Sequence, residues 1–420
     1  MNQINRKSKI SSFFELLSSH CEYIMTFALG LLMIVQRFLS GVYKPVMDDW
    51  FLYGDLYKGI SNRLANFAIP NEKFAIRPLA GVFDCFVNAP LFNHLWIVEL
   101  FLTFSLLFGS FLIIKALRRN NFASGGFFLC LVCLFPVGLE ATYWIAAATR
   151  VAYSLLFIGC ATLSLDYCYK SGKVKFLVMF AVFGMLSVCF YEPGIVVYII
   201  LTLFIVWNNY KNKKDLLPLA IMAAHIAIIG IYYILNSGSG EIESRGGFLE
   251  TDILEHTALV TDFTKNIFTN FTNSIFKNGY DKGMIIVFGG HKFIKILLIA
   301  ILSIIFGVFS AVCIKKRNFS WKILVLGIVM FFGGLSLNYI LGSDRIPLRL
   351  VFFAYLGIGI VIDELIVLLP LSFSRILCAV LLTVSAFSFT VTGIGEVSDY
   401  QKTSDIDVAL TSQLINLDTK

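Results

Sequence analysis

Long apolar runs separated by short basic clusters limit the fold of this chain more than any other feature. The first run extends from Cys21 to Leu39 and is long enough to cross a bilayer as a helix. In lipid such a run must be helical or part of a closed barrel, because every backbone amide there needs an internal partner. Further runs follow at about 94–114, 122–139 and 216–235, with others up to about residue 393, which gives about 11 expected transmembrane helices. Composition agrees with this. The chain is 58% hydrophobic and 15% charged with a mean hydropathy of +0.80, whereas a soluble domain is roughly half apolar and a quarter charged. The expected fold class is therefore an all-α polytopic membrane protein. Its 31 glycines suit close helix crossings in lipid.

The charges predict an orientation. Arg6, Lys7 and Lys9 precede the first run, which is read as a retained anchor, and place the N-terminus in the cytoplasm. Basic clusters recur at Lys115–Arg119, Lys170–Lys175, Lys211–Lys214 and Lys315–Arg317, so half of the 34 Lys and Arg fall in short cytoplasmic segments. Most of the 27 acids fall on the other side. The net charge of +7 is thus explained by membrane orientation, and no nucleic-acid partner is expected. Two long outer loops, residues 40–92 and 236–292, each carry an amphipathic pattern. Leu52, Leu56, Ile60, Leu64 and Phe67 form one apolar face, and Val260, Phe263, Ile267, Phe271 and Ile275 form the other. Both are expected to lie in the interface plane. Residues 1–393 form the expected transmembrane catalytic region, and residues 394–420 a short acidic outer tail. None of the nine cysteines suggests a disulfide framework, and Cys130-Leu-Val-Cys133 reads as core packing despite its zinc-like spacing.

The stretch Tyr43-Lys44-Pro45-Val46-Met47-Asp48-Asp49-Trp50 leaves the first run with two adjacent carboxylates. Acids so close to the bilayer are candidates for function. The plain alternative is that one of them caps the following helix. Other polar groups expected on the same face are Arg77, Glu99, Glu140 with Trp144 and Arg150, Glu192, Arg345 and Arg349. A carboxylate can take the proton of an attacking hydroxyl, and an arginine can hold a leaving phosphate. Each has a plain reading too. Trp144 suits an interfacial belt, Glu192 in the Tyr191-Glu192-Pro193-Gly194 turn suits a solvated loop, and Arg345 and Arg349 suit lipid headgroups. His225 reads as a contact between helices. Asp363-Glu364, near the inner end of the tenth run, has no role in this scheme beyond proximity to Arg375.

A first span, an outer loop opening on Asp48-Asp49, an amphipathic helix and many further spans resemble the polytopic glycosyltransferases of the C-type fold that use polyprenyl-phosphate sugars. Within these, the chain looks most like the bacterial and phage-encoded serotype-converting O-antigen glucosyltransferases, with Glu140-x-x-x-Trp144 as added support. The resemblance implies an enzyme of the bacterial inner membrane with its active site facing the periplasm. It implies an undecaprenyl-phosphate glucose donor and a lipid-linked polysaccharide acceptor. Asp48 or Asp49 would be the base of an inverting transfer, and Arg77, Arg345 or Arg349 would hold the phosphate. A divalent cation on the Asp pair is left open. A lipid-sugar flippase and an O-antigen polymerase are the competing readings.

Overall fold

A computed structural model describes residues 20–46, 49–50, 53, 57, 59–61, 63–64, 77–211, 216–235, 253–289, 293–340 and 348–418. Among these residues all regular structure is helical, with no strand. Seven helices are long and apolar enough to cross a membrane, and Val174–Val188 and Trp321–Ser336 are shorter apolar helices. This is an all-α membrane protein.

Helix α1 (Cys21–Phe38) leads into the first outer segment, most of which lies outside the described residues. Helix α2 (Pro78–Phe83) starts with proline at its first turn, where a missing N–H costs nothing. It passes through a π turn at Asp84–Asn88 and a 3-10 turn into α3 (Leu95–Arg118). Helix α6 (Ile145–Ser171) crosses α3 where Gly159 meets the backbone of Gly109, a gap that any side chain would fill. It ends at Gly172, whose left-handed conformation (φ 67°) lets its N–H donate to Cys168 O at 2.8 Å.

The third apolar run does not form the expected span. Helix α4 covers only Gly126–Leu134, because Phe135 precedes Pro136 and is held extended. Nine residues of helix reach about 14 Å, half of a bilayer core. The path continues through a 3-10 turn into α5 (Leu139–Thr142). Both ends of α4 are closed by buried side chains from elsewhere. Asp363 accepts the Phe127 and Phe128 N–H groups at 3.3 and 2.9 Å, and Gln36 Nε2 donates to Leu134 O at 2.8 Å. These contacts answer the demand that lipid places on free backbone groups. They also give Asp363 a role. Its neighbour Glu364 accepts the N–H of Ser320, just before the helix that opens at Trp321, at 2.6 Å. The adjacent acids therefore close the starts of two different helices.

Helices α7 (Val174–Val188) and α8 (Glu192–Asn209) form the expected hairpin. His225 of α9 (Leu217–Leu235) hydrogen-bonds Tyr198 of α8 through Nδ1 at 3.0 Å, a contact between helices as its surroundings suggested. In the second long loop, α10 (Ile253–Asn266) and α11 (Thr272–Phe288) are joined by a π turn, with Val260, Ile267 and Ile275 buried as the periodicity required. Phe271 is exposed. Helix α12 (Phe293–Cys313) packs on α1, and α13 (Trp321–Ile340) on α14 (Leu348–Ile366). Helix α15 runs unbroken from Leu371 to Asp418, so residues 394–418 continue the last span without a break. At 1.5 Å per residue, its 48 residues extend about 72 Å. Against its middle lies α11, where Gly279 and Gly283 meet the α15 backbone.

Candidate functional site

One end of the bundle gathers most of the polar residues singled out above. Trp144 is extended (ψ 116°) and has no capping side chain of its own, so the first amides of α6 open toward the loop after α1. That loop supplies their partners. Asp49 Oδ1 accepts the Ala146 N–H at 2.8 Å, and the Tyr43 hydroxyl accepts the Ile145 N–H at 3.1 Å. Tyr43 in turn donates to Asp49 Oδ2, which also accepts the Val46 N–H at 3.1 Å. Asp49 is fully buried. The capping role envisaged for one acid of the pair thus falls on Asp49, although the helix it caps begins almost a hundred residues later. Asp48 and Arg345 lie outside the described residues. Burial, and next the charge of Asp49, raise the Tyr43 phenol well above its ordinary value, so it stays a neutral donor.

A second cluster sits on the π turn. Asp84 Oδ2 pairs with Arg150 Nη2 at 2.8 Å, and Asp84 Oδ1 accepts from the Tyr53 hydroxyl at 2.8 Å and from Asn88 Nδ2 at 3.2 Å. Asn88 also reaches Thr149 Oγ1 at 2.9 Å. The start of α6 is therefore fixed on two sides, by Asp49 at its amides and by Asp84 through Arg150.

Deeper in the bundle, Arg37 Nη1 contacts Glu99 Oε1 at 2.6 Å and donates to Thr103 Oγ1 at 2.7 Å, with both charged side chains wholly buried. Arg37 Nε and Nη2, and Glu99 Oε2, have no hydrogen-bond partner among the described residues. Unmet donors and acceptors on a buried pair mark a polar interior. Glu99 is also close enough to Asp49 for their charges to interact.

The wall of the site is aromatic. Tyr143 stacks on Tyr400 of α15 with centroids 5.9 Å apart, Trp144 meets the same ring edge-on at 5.6 Å, and Tyr43 lies 4.9 Å from Tyr143. Trp50 packs edge-on to Phe92. The indole N–H groups of Trp50 and Trp144 are buried without a hydrogen-bond partner among the described residues. Glu140 is half-buried on α5, near enough to the Tyr400 ring for its charge to act there.

Of the expected phosphate ligands, Arg77 and Arg349 lie among the described residues. Arg77 Nε donates to both Glu192 oxygens, at 3.0 and 2.8 Å, and its guanidinium lies 4.9 Å over Tyr191. These residues tie α2 to the start of α8. Arg349 is half-buried in the first turn described for α14, which opens at Leu348. No group of three or more His, Cys, Asp or Glu side chains converges among the described residues.

Four contributors were not anticipated from the sequence: Arg37, Asp84, Tyr43 as a hydroxyl relay, and Tyr400. Arg37 had a signal, since a guanidinium inside an apolar run is costly unless it is paired. Asp84 follows Arg77-Pro78 in a mixed stretch with no periodicity to mark it. No protein-family model matches the chain, and no curated protein matches it.

Proposed function

We propose that this protein is a polytopic glycosyltransferase laid out like the C-type enzymes. It moves a sugar, glucose in the first instance, from undecaprenyl phosphate to a lipid-linked surface polysaccharide at the periplasmic face of a bacterial inner membrane. The observation that carries this reading is the convergence, at one end of the bundle, of Asp49, the Arg37–Glu99 pair and an aromatic wall of Tyr143, Trp144 and Tyr400. Carboxylates, guanidinium groups and flat aromatic faces are what a sugar phosphate needs for activation, charge balance and stacking.

The acceptor hydroxyl attacks the anomeric carbon, its proton passes to a carboxylate, and the bond from that carbon to the phosphate oxygen breaks with inversion. Asp49 already accepts two backbone amides and a tyrosine hydroxyl and is fully buried. We therefore assign the base to Asp48 and a scaffolding role to Asp49. The leaving phosphate is assigned to the guanidinium of Arg77, which already binds the Glu192 carboxylate through Nε, or to Arg345 or Arg349. The test is transfer from polyprenyl-phosphate glucose to a lipid-linked acceptor by the reconstituted full chain. Asp48→Asn should abolish turnover at normal expression, while Asp49→Asn should lower the thermal midpoint. Full turnover by Asp48→Asn would refute the base assignment.

One observation favours a second reading, a lipid-sugar flippase. The break between α4 and α5 is a discontinuous helix inside the bundle, as transporters use around a central site. Against it, the carbonyl freed at Leu134 already accepts from Gln36. Movement of a labelled lipid-linked sugar between leaflets, without transfer, would favour this alternative.

A further inference from the structure

The opposite end of the bundle holds two adjoining cavities that the transferase chemistry does not use. The larger, about 710 Å³, is lined by Arg119, Lys170, Arg317 and Lys322 with no carboxylate in its walls among the described residues, and by amides that include Asn121 and Asn209. The smaller, about 370 Å³, shares Arg119, Asn121 and Arg317 with it and adds Arg118, with Glu22 as the one acid in its lining. Membrane orientation explains why cations collect here. It does not explain why they surround a hollow lined with amides.

Glu22 lines the smaller cavity and pairs with Arg118 Nη1 at 2.8 Å, leaving Arg118 Nη2 uncommitted, while the other described acids of this end are turned away. Asp166 is buried behind the wall, held by Arg119, by Lys170 at 2.6 Å and by Asn120 at 2.7 Å, and Glu364 is occupied at Ser320. Arg317 is fixed in place by donating to the Arg118 and Phe122 carbonyls at 3.0 and 3.2 Å. Burial, and next the charge of Arg118, push Arg317 below the ordinary arginine value. Arg118 Nη2 is buried with no hydrogen-bond partner among the described residues. Asn121, on the wall common to both cavities, has the left-handed backbone (φ 71°) that few residues other than glycine adopt.

Depth identifies the occupant. Trp207 and Trp321 meet edge-on at 5.2 Å beside the larger cavity, both well exposed, and Lys322 Nζ lies 5.0 Å over the Trp207 ring. Exposed tryptophans at the end of membrane helices sit at headgroup level. We propose that the two cavities form one binding site for the phosphate headgroup of an anionic membrane lipid. Guanidinium forks from Arg118, Arg119 and Arg317 bind the phosphate oxygens, asparagine amides bind the headgroup hydroxyls, and the tryptophan pair faces the glycerol backbone. This site is independent of the sugar-transfer reading.

The test uses the purified full chain, delipidated and titrated with phosphatidylglycerol, cardiolipin or phosphatidylcholine, with retained lipid read by native mass spectrometry and stability by thermal unfolding. The anionic lipids should be retained and raise the midpoint, and phosphatidylcholine should do neither. Lys170→Gln with Lys322→Gln should weaken retention on the order of tenfold. Lys173→Gln with Lys175→Gln, an equal loss of charge outside both cavities, should leave it unchanged. Equal weakening by the two pairs would overturn the site in favour of diffuse attraction, and so would equal retention of all three lipids by the unaltered chain. Inorganic phosphate binding as tightly as the lipids would overturn the lipid assignment in favour of a soluble ligand.

Discussion

At the end of the bundle that holds Asp49, charge is matched inside the protein; at the end that holds Arg317, much of it is left facing outward. Arg37 and Glu99 are both wholly buried, and Arg150 is nearly as buried as its partner Asp84. At the other end the acid Asp166 is just as buried, but its partners Arg119 and Lys170 remain about a third exposed. The same residue types therefore give two results. Closed pairs with spare internal donors suit chemistry on a bound polar substrate, whereas half-closed pairs leave net positive charge for something at the membrane surface.

The largest effect should come from opening a closed pair. Arg37→Ala leaves the Glu99 carboxylate buried without its cation, a loss of about 3–5 kcal/mol, measurable as a lower thermal midpoint in detergent. Arg37→Met with Glu99→Leu should recover most of it, and failure to recover would mean that Arg37 has partners beyond Glu99 and Thr103. Next, Asp363→Ala removes the carboxylate that accepts the first amides of α4 and should cost about 1–3 kcal/mol. Asp363→Asn should restore part of this, which would separate the acceptor's role from its charge. Removing the stacked ring with Tyr400→Ala should cost about 0.5–1.5 kcal/mol beyond the lost area. On the proposed function it should also raise KM for the sugar donor more than it lowers kcat. The smallest effect is expected at the exposed pair of Lys44 and Asp405, 2.5 Å apart, where Lys44→Ala should change stability by about 0–1 kcal/mol, and less in high salt. Lys282 adds a pH test of the exposed class. Its hydrogen bond to Asp399 raises the ammonium above the ordinary lysine value, so the small contribution of this pair is complete at neutral pH. It should fade only as pH climbs through the lysine range and beyond.

Most of the helices could be read from the apolar runs, because hydropathy and length alone decide what enters a bilayer. The third run is too short to span although hydropathy marks it as a span, since Phe135-Pro136, visible in the sequence, halts α4 after nine residues. The amphipathic pattern around Val260, Ile267 and Ile275 correctly marked a buried face, but its spacing did not say that α15 would cover the following helix. At the candidate site, the importance of residues 43–50 and of Glu140 to Arg150 could be inferred from polar groups at the exits of apolar runs. Their pairing could not. Periodicity reports which face a residue occupies, whereas Arg37–Glu99, Asp49–Ala146 and Gln36–Leu134 join segments 62 to 98 residues apart. Asp84 carried no local pattern, and its meaning arises only from meeting Arg150.

The capping of α4 by Asp363 also bears on the order of synthesis. The helix and the carboxylate that closes it are separated by 235 residues at Phe128, so α4 leaves the ribosome long before its cap exists. Until then its first amides have no acceptor suited to hydrocarbon, and the helix must remain where water or the insertion machinery can serve them. Nascent chains halted before residue 363 should therefore expose the segment around Gly126 to protease or thiol-reactive probes at Cys130 and Cys133. Chains extended past α14 should protect it.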